Sequence, residues 1–213
     1  MMSELLAFFG LGRCGKDTMA DLFVEHHGYT KLSFATPLYQ EVADAFDVDV
    51  AQLHSDEWKT KPQAALQARF TNAPGFKAAV ERAGLFLDEY LTSRRALQIW
   101  ANDYMKATHG QDYYAAKMIG QMRAHGGKSI VIPDLRHDIE ACVGHWCVSR
   151  RKHNSFKIIE ILRHGTQNTG HTSDNGLSKF LIDGTVRNNT TVEECYDQIL
   201  NVLKQGQEVR THG

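Results

Sequence analysis

The chain has 213 residues, with 24 Lys and Arg against 25 Asp and Glu and a formal net charge of −1. That length allows one domain, 1–213, with a sizeable buried core. The near-neutral balance supplies no broad field to attract a nucleic-acid polymer. The four cysteines are unevenly scattered, which argues against a disulfide framework and for a reducing cytosol. Met1-Met2-Ser3-Glu4 lacks the positive charge of a signal peptide, and no stretch approaches the ~20 apolar residues of a membrane span.

In chain order, residues 4–10 read as a buried strand, Leu5-Leu6-Ala7-Phe8-Phe9 being apolar throughout. A helix is expected from Lys16 to His27, ended by Gly28. Between strand and helix lies Gly10-Leu11-Gly12-Arg13-Cys14-Gly15-Lys16-Asp17-Thr18, the context of a phosphate-cradling P-loop. Its glycines let the backbone curl so that N–H groups point inward at an anion. The helix N-terminus adds partial positive charge, and Lys16 adds a full one. The usual pattern places Ser or Thr directly after the lysine; here Asp17 stands there and Thr18 follows. A glycine-rich turn with a chance lysine is the alternative, disfavoured because both flanks read correctly.

Tyr29 to Phe34 reads as a second strand, completing a βαβ unit. Residues 36–125 read as mostly helical and irregular. Thr36-Pro37 opens a helix over Leu38–Phe46, Pro62 and Pro74-Gly75 punctuate the chain, and helices are expected over Glu81–Leu91 and Arg94–Thr108. The sheet resumes at Lys128–Ile132, followed by a helix over Asp138–Cys147 and a strand over Phe156–Leu162. Residues 163–178 are polar and read as a mobile loop. Phe180-Leu181-Ile182 with Val186 predicts a last short strand. Thr190 or Thr191 caps a final helix, with a frayed tail after Gln205. Strands alternating with helices predict a parallel sheet covered on both faces.

Several side-chain groups carry chemistry. Asp134 lies just beyond a strand, where ligands of open α/β sheets sit, and suits magnesium-bound water; Arg136 has the planar fork that suits phosphate. Arg94-Arg95 open a helix on which Arg94, Gln98 and Ala101 or Asn102 share a face that could hold a phosphate and a base edge. Arg163 enters the polar loop with His164, His171, Ser173 and Asp174, as in the lids of phosphoryl-transfer enzymes. Phe34, Tyr39, Trp100 and Tyr104 are stacking candidates, with core packing as the alternative. Cys142, His145, Cys147 and His153 do not have the usual zinc spacing, and Arg150-Arg151-Lys152 reads as a solvated turn.

Four segments in sequence resemble the deoxynucleoside monophosphate kinases of bacteriophages and related bacterial proteins. They are Gly15-Lys16-Asp17-Thr18, Arg95-Ala96-Leu97-Gln98-Ile99-Trp100, Ile130 to Arg136, and His171-Thr172-Ser173-Asp174 with Asp183 and Asn188-Asn189 downstream. The chain departs from that pattern at Ala101, Lys106, Pro133 and Asp174. The resemblance implies a three-layer α/β/α P-loop NTPase fold with a parallel sheet of about five strands, a helical monophosphate-binding region at 36–125 and a lid at 163–178. It implies transfer of the γ-phosphoryl of ATP to a deoxynucleoside monophosphate. Gly10, Gly12, Arg13, Cys14, Gly15, Lys16, Asp17 and Thr18 would hold the donor. Thr18 and Asp134 would hold Mg²⁺, with Lys16, Asp17, Arg136 and Arg163 catalytic. Arg94, Arg95, Gln98, Asp134 and Arg136 would bind the acceptor. The expected partner is thus a small molecule, neither a nucleic-acid polymer nor a membrane. Homodimerisation is open, and the location is cytoplasmic, in the host if the source is a phage. Another small-molecule kinase, acting on dephospho-coenzyme A or a nucleoside, is the nearest alternative. A nucleotide-dependent switch protein and a phosphate-binding structural module are more distant ones.

Overall fold

The structure, a computed structural model, describes residues 3–150, 152–166 and 177–211. Its elements are β1 (Glu4–Phe9), α1 (Lys16–His27), β2 (Thr30–Lys31), α2 (Ala35–Phe46), α3 (Val50–His54), α4 (Asp56–Thr60), α5 (Pro74–Arg82), α6 (Ser93–Gln98), a π-helical stretch (Ile99–Lys106), α7 (Ala107–His109), α8 (Tyr113–Ala124), β3 (Ile130–Ile132), α9 (Asp138–Ser149), β4 (Ser155–Leu162), β5 (Gly184–Arg187) and α10 (Val192–Thr211). They group into two compact units, one up to Phe34 and from Met118 onward, the other Ala35–Lys117. No helix among the described residues is long and apolar enough to cross a membrane.

The first unit holds a parallel five-stranded sheet in the order β2-β3-β1-β4-β5. An interior parallel strand is covered on both faces, so β1 is an unbroken apolar run and Leu5, Leu6, Ala7 and Phe8 are all buried. Leu6 and Phe8 pack with Met19 and Phe23 of α1 and with Cys195 and Ile199 of α10. Leu5 and Ala7 point to the opposite face, in register with Phe156 and Ile158 of β4. There α9 approaches so closely that a Cβ on Gly144 would lie 2.4 Å from the Phe156 ring. Helices on both faces give this unit the three-layer α/β/α architecture, with a parallel sheet of five strands, expected from the sequence. α1 has the expected bounds, and Gly28 (φ 67°) closes it, its N–H reaching Val24 O at 3.1 Å while Tyr29 N–H reaches Phe23 O at 3.3 Å.

The second unit is helical around a core that includes Val42, Phe46, Leu53, Phe76, Val80 and Trp100. Thr92 caps α6 by accepting from Arg95 N–H at 3.1 Å, and the fully buried Ser93 hydroxyl donates to Leu53 O at 2.9 Å. The helix expected over Arg94–Thr108 is helical throughout, with the wide π-helical stretch in its middle.

Other elements differ from expectation for identifiable reasons. The second strand is confined to Thr30–Lys31, because Ser33 and Phe34 turn out of the sheet to bond the Asp134 carboxylate at 2.6 and 3.1 Å. α2 begins three residues earlier than Leu38, at Ala35. The helix expected over Glu81–Leu91 instead covers Pro74–Arg82. Pro74 occupies the first turn, where its missing N–H costs nothing; Gly84, at φ 76°, follows the helix end. Residues beyond it form an irregular segment in which Leu87 O accepts from Arg69 N–H at 2.8 Å and Leu91 bridges Gln63. Phe180-Leu181-Ile182 is not a strand: Lys179–Leu181 forms a 3₁₀ turn with Phe180 exposed. Pairing with β4 starts only after Asp183, whose backbone and carboxylate both bond Ile158. Thr191, not Thr190, caps α10 by accepting from Glu194 N–H at 3.2 Å, and the helix spans Val192–Thr211.

His153 is 3% exposed and its Nδ1 has no hydrogen-bond partner among the described residues. Burial holds this imidazole below the ordinary histidine range. A neutral buried histidine stabilises fully above the unfolded value of about 6.5, and that contribution is lost as pH falls through the lower folded value. Thermal denaturation should therefore show the melting temperature dropping from pH 7 to pH 5, with a shallower drop in His153→Leu; identical slopes in the two proteins would contradict this origin.

Candidate phosphate-binding site

The sheet order places β1 between β3 and β4, while α1 carries the chain past β3 to β2. The strand order therefore reverses beside the carboxyl end of β1, the position where open α/β sheets bind ligands. Residues 10–15 leave β1 at that point. Gly10 (φ 144°) passes so close to β4 that a Cβ would sit 2.4 Å from Ile161 O. Gly15 (φ 100°) has the Asn188 amide nitrogen 2.3 Å from where its Cβ would be. Around Gly12 there is open space, Arg13 is exposed with φ 64°, and Cys14 is fully buried.

Lys16 folds back over this loop. Its ammonium donates to Gly10 O at 2.8 Å, Leu11 O at 2.7 Å and Cys14 Sγ at 3.5 Å. The three donors of the ammonium are thus satisfied by the loop itself. Gly15 is the N-cap of α1 and offers no side-chain cap, so the first N–H groups of the helix depend on other acceptors. A cation held inside a glycine-rich turn, at an uncapped helix N-terminus, is a donor set suited to a polyphosphate.

Asp17 points elsewhere. It is 80% exposed and lies 3.2 Å from Lys31, which also bonds Asp21 at 2.9 Å. Burial works to lower the Lys31 pKa, but the hydrogen bond it donates to Asp21 and the Asp17 charge together raise it. Thr18 is exposed in the first turn of α1. Asp134 is half-buried beyond β3, its carboxylate taking the Ser33 hydroxyl and the Phe34 N–H. Exposed Arg136 and neighbouring His137 both give their backbone N–H to Glu140 Oε2, at 2.7 and 3.1 Å. Asp138 accepts from the Ser178 hydroxyl and N–H at 2.5 and 2.7 Å, and these bonds hold its carboxyl below the usual carboxylate range. Arg163 is exposed after β4, and its carbonyl accepts from the Thr166 hydroxyl at 2.7 Å. His171, Ser173 and Asp174 of the expected lid lie outside the described residues. No cluster of three or more His, Cys, Asp or Glu fit to hold a metal occurs among the described residues; Mg²⁺ bound through phosphates and water needs only one or two protein ligands.

Arg94, Arg95 and Gln98 belong to the second unit, in α6; both arginines are exposed and Gln98 is half-buried. Trp100 (5% exposed) is core and packs on Phe76, with ring centroids 5.2 Å apart. Phe34 is also buried, Tyr39 stacks on His54 at 3.8 Å, and Tyr104 meets Trp100 edge-on at 5.1 Å. Of the tempting zinc group, Cys147 Sγ lies 3.5 Å from Met122 Sδ and His145 packs edge-on against Phe156.

Two sets of contacts were given no role from the sequence. In the second unit, the Glu41 carboxylate gathers Trp100 Nε1–H at 3.0 Å, the Tyr113 and Tyr114 hydroxyls at 2.8 and 3.2 Å, and Lys117 at 2.9 Å. Burial, then the neighbouring Glu41 charge and hydrogen bond, push the Tyr114 phenol far up. In the first unit, Asn188 bonds Cys14 O at 2.9 Å and Asn189 accepts from His164 N–H at 2.7 Å. The sequence shows these as an Asn-Asn pair just past a strand, within the fourth segment of the resemblance, with no partner indicated.

No protein-family model and no curated protein matches the sequence. Among solved structures, a gluconokinase from Sinorhizobium meliloti 1021 is similar over 99% of this chain and 97% of that one, at 12% identity and a TM-score of 0.45. A likeness of that grade bears no functional weight.

Removing Glu41 leaves buried donors without an acceptor, at a cost of about 1–3 kcal/mol each. Glu41→Ala should therefore lower the urea midpoint by an amount equivalent to about 3 kcal/mol or more; a midpoint within error of the wild type would contradict the assignment.

Proposed function

We propose that the protein is a small-molecule phosphotransferase that moves the γ-phosphoryl of ATP to the phosphate of a deoxynucleoside monophosphate, giving the diphosphate and ADP. The observation that carries the donor half is the Lys16 ammonium held by Gly10 O and Leu11 O inside the loop after β1. The acceptor half rests on the sequence resemblance and on the exposed arginines.

Phosphoryl transfer asks the protein for in-line positioning and for neutralisation of charge rather than covalent chemistry. Gly10, Gly12, Arg13, Cys14 and Gly15 would cradle the donor phosphates with their backbone, together with the first turn of α1. Lys16 would exchange its bonds to the loop carbonyls for bonds to phosphate oxygens, which carry full negative charge and attract the ammonium more strongly. Thr18 and Asp134 would hold Mg²⁺, which supplies charge neutralisation between phosphate oxygens. Asp134 would do so while its carboxylate still binds Ser33 and Phe34, since a carboxylate has about four lone-pair positions. Asp17, turned to Lys31, would act through that lysine. Arg136 and Arg163 would steady the transferring group; Arg94, Arg95 and Gln98 would hold the acceptor phosphate and base. We read 1–213 as one kinase, with 36–125 as its monophosphate-binding region.

The reading is tested by ADP release with ATP and Mg²⁺ across the common deoxy- and ribonucleoside monophosphates, dephospho-coenzyme A and nucleosides. Acceptor-dependent ADP formation with dGMP or dTMP, lost in Lys16→Ala, is the expected result. Arg136→Ala should lower kcat by about 10²-fold. Turnover of dephospho-coenzyme A or a nucleoside alone would move the acceptor to those classes. ATP hydrolysis independent of every acceptor would replace the kinase reading with a nucleotide switch.

A further inference from the structure

We propose that Asn188 and Asn189 are positioning residues of the phosphate site, a two-handed clamp that sets the peptide orientation of the loop and ties it to the segment beginning at Arg163. The inference rests on the nucleotide-donor reading above.

The clamp is built from the far end of the chain. Asn188 follows β5, is 8% exposed, and its N–H continues the sheet ladder to Leu162 O at 2.8 Å. Its side-chain nitrogen donates to Cys14 O at 2.9 Å, a buried bond across 174 residues of sequence. An amide group facing a carbonyl must present its nitrogen, so the side chain has one usable orientation. The strand end is itself fixed, because Gln198 of α10 bonds both Arg187 N–H at 3.1 Å and Arg187 O at 3.3 Å.

The consequence lies in the peptide between Cys14 and Gly15. In a trans peptide the C=O and N–H point opposite ways. Pinning Cys14 O on Asn188 therefore directs Gly15 N–H away from Asn188, toward the side where an anion cradled by the loop would sit. Glycine accepts many backbone conformations, so Gly15 alone would let this peptide turn over and present an oxygen to the anion. Asn188 selects one of the two states. The same amide also excludes any side chain at position 15, since a Cβ there would meet it at 2.3 Å. The next residue acts on a different segment: Asn189 Oδ1 accepts from His164 N–H at 2.7 Å, directly after Arg163. One dipeptide thus holds the loop that grips the donor and the backbone that carries a proposed catalytic arginine.

The two hands predict separate kinetic signatures. Calorimetric titration of the full chain with MgATP and with magnesium tripolyphosphate should show Asn188→Ala and Asn188→Asp weakened about tenfold for both ligands and by the same factor, because the damage is to phosphate binding alone. The KM for ATP should rise in step. Asn189→Ala should instead keep ATP affinity within about twofold and lower kcat, because it frees the Arg163 segment and leaves the loop bonded. A purely structural role would lower melting temperature without producing this split. Should Asn188→Ala not fold, the equal-sized Asn188→Asp decides on the same titration. Wild type binding both ligands, with the Asn188 variants binding them equally well, overturns the clamp and leaves the donor reading intact. Wild type binding neither ligand overturns the donor reading and the clamp together.

Discussion

The close approach of Gly10 to β4 is the constraint on which the site depends. A side chain at residue 10 would strike Ile161 O, so the chain can leave β1 and enter α1 by this path only with glycine there. That path in turn brings Gly10 O and Leu11 O within reach of Lys16. The result is a loop whose carbonyls are gathered by its own cation. A full positive charge is thereby stored where the helix N-terminus already favours an anion.

The sheet is tied by polar side chains, rather than by packing alone, at the carboxyl edge around this loop and at the amino edge opposite. Asp134 holds the exit of β2 through Ser33 and Phe34, Asp183 holds the entry of β5 through Ile158 and Lys157, and Asn188 holds the loop. Each tie joins segments distant in sequence, and each satisfies a backbone or hydroxyl group that would otherwise lie at the end of a ladder without a partner. The apolar layers beneath, Leu6 and Phe8 against Met19 and Phe23, supply the bulk of the burial; the polar ties specify how the strand ends are arranged. In the second unit Glu41 performs a similar function for its helices, drawing Trp100, Tyr113 and Tyr114 to a single carboxylate.

Much of the first unit was legible because its signals are local. β1 is a continuous apolar run, α1 ends on a glycine in the left-handed region, and the glycine-rich turn sits between them. The Asp134 position beyond β3 followed from a strand ended by Pro133. What escaped depended on partners far away in the chain. Phe180-Leu181-Ile182 has strand composition, but the register with β4 begins after Asp183, which no local pattern reveals. Pro74 and Gly75 read as punctuation, yet a proline fits a first helical turn, and Gly75 is needed because a Cβ would meet the Tyr104 ring at 2.3 Å. Trp100 matched a stacking surface by type and a core residue by environment. Asn188 was visible as one of a polar pair in the fourth segment of the resemblance, but its partner was not, since Cys14 O lies near the other end of the chain.

Amide chemical shifts on titration with MgADP test the central claim most directly. The account predicts that the largest changes fall on the N–H groups of Gly10, Gly12, Gly15, Lys16 and Thr18 and saturate together. Changes confined to other parts of the chain, or none at a nucleotide concentration well above millimolar, would contradict a phosphate cradle at this loop.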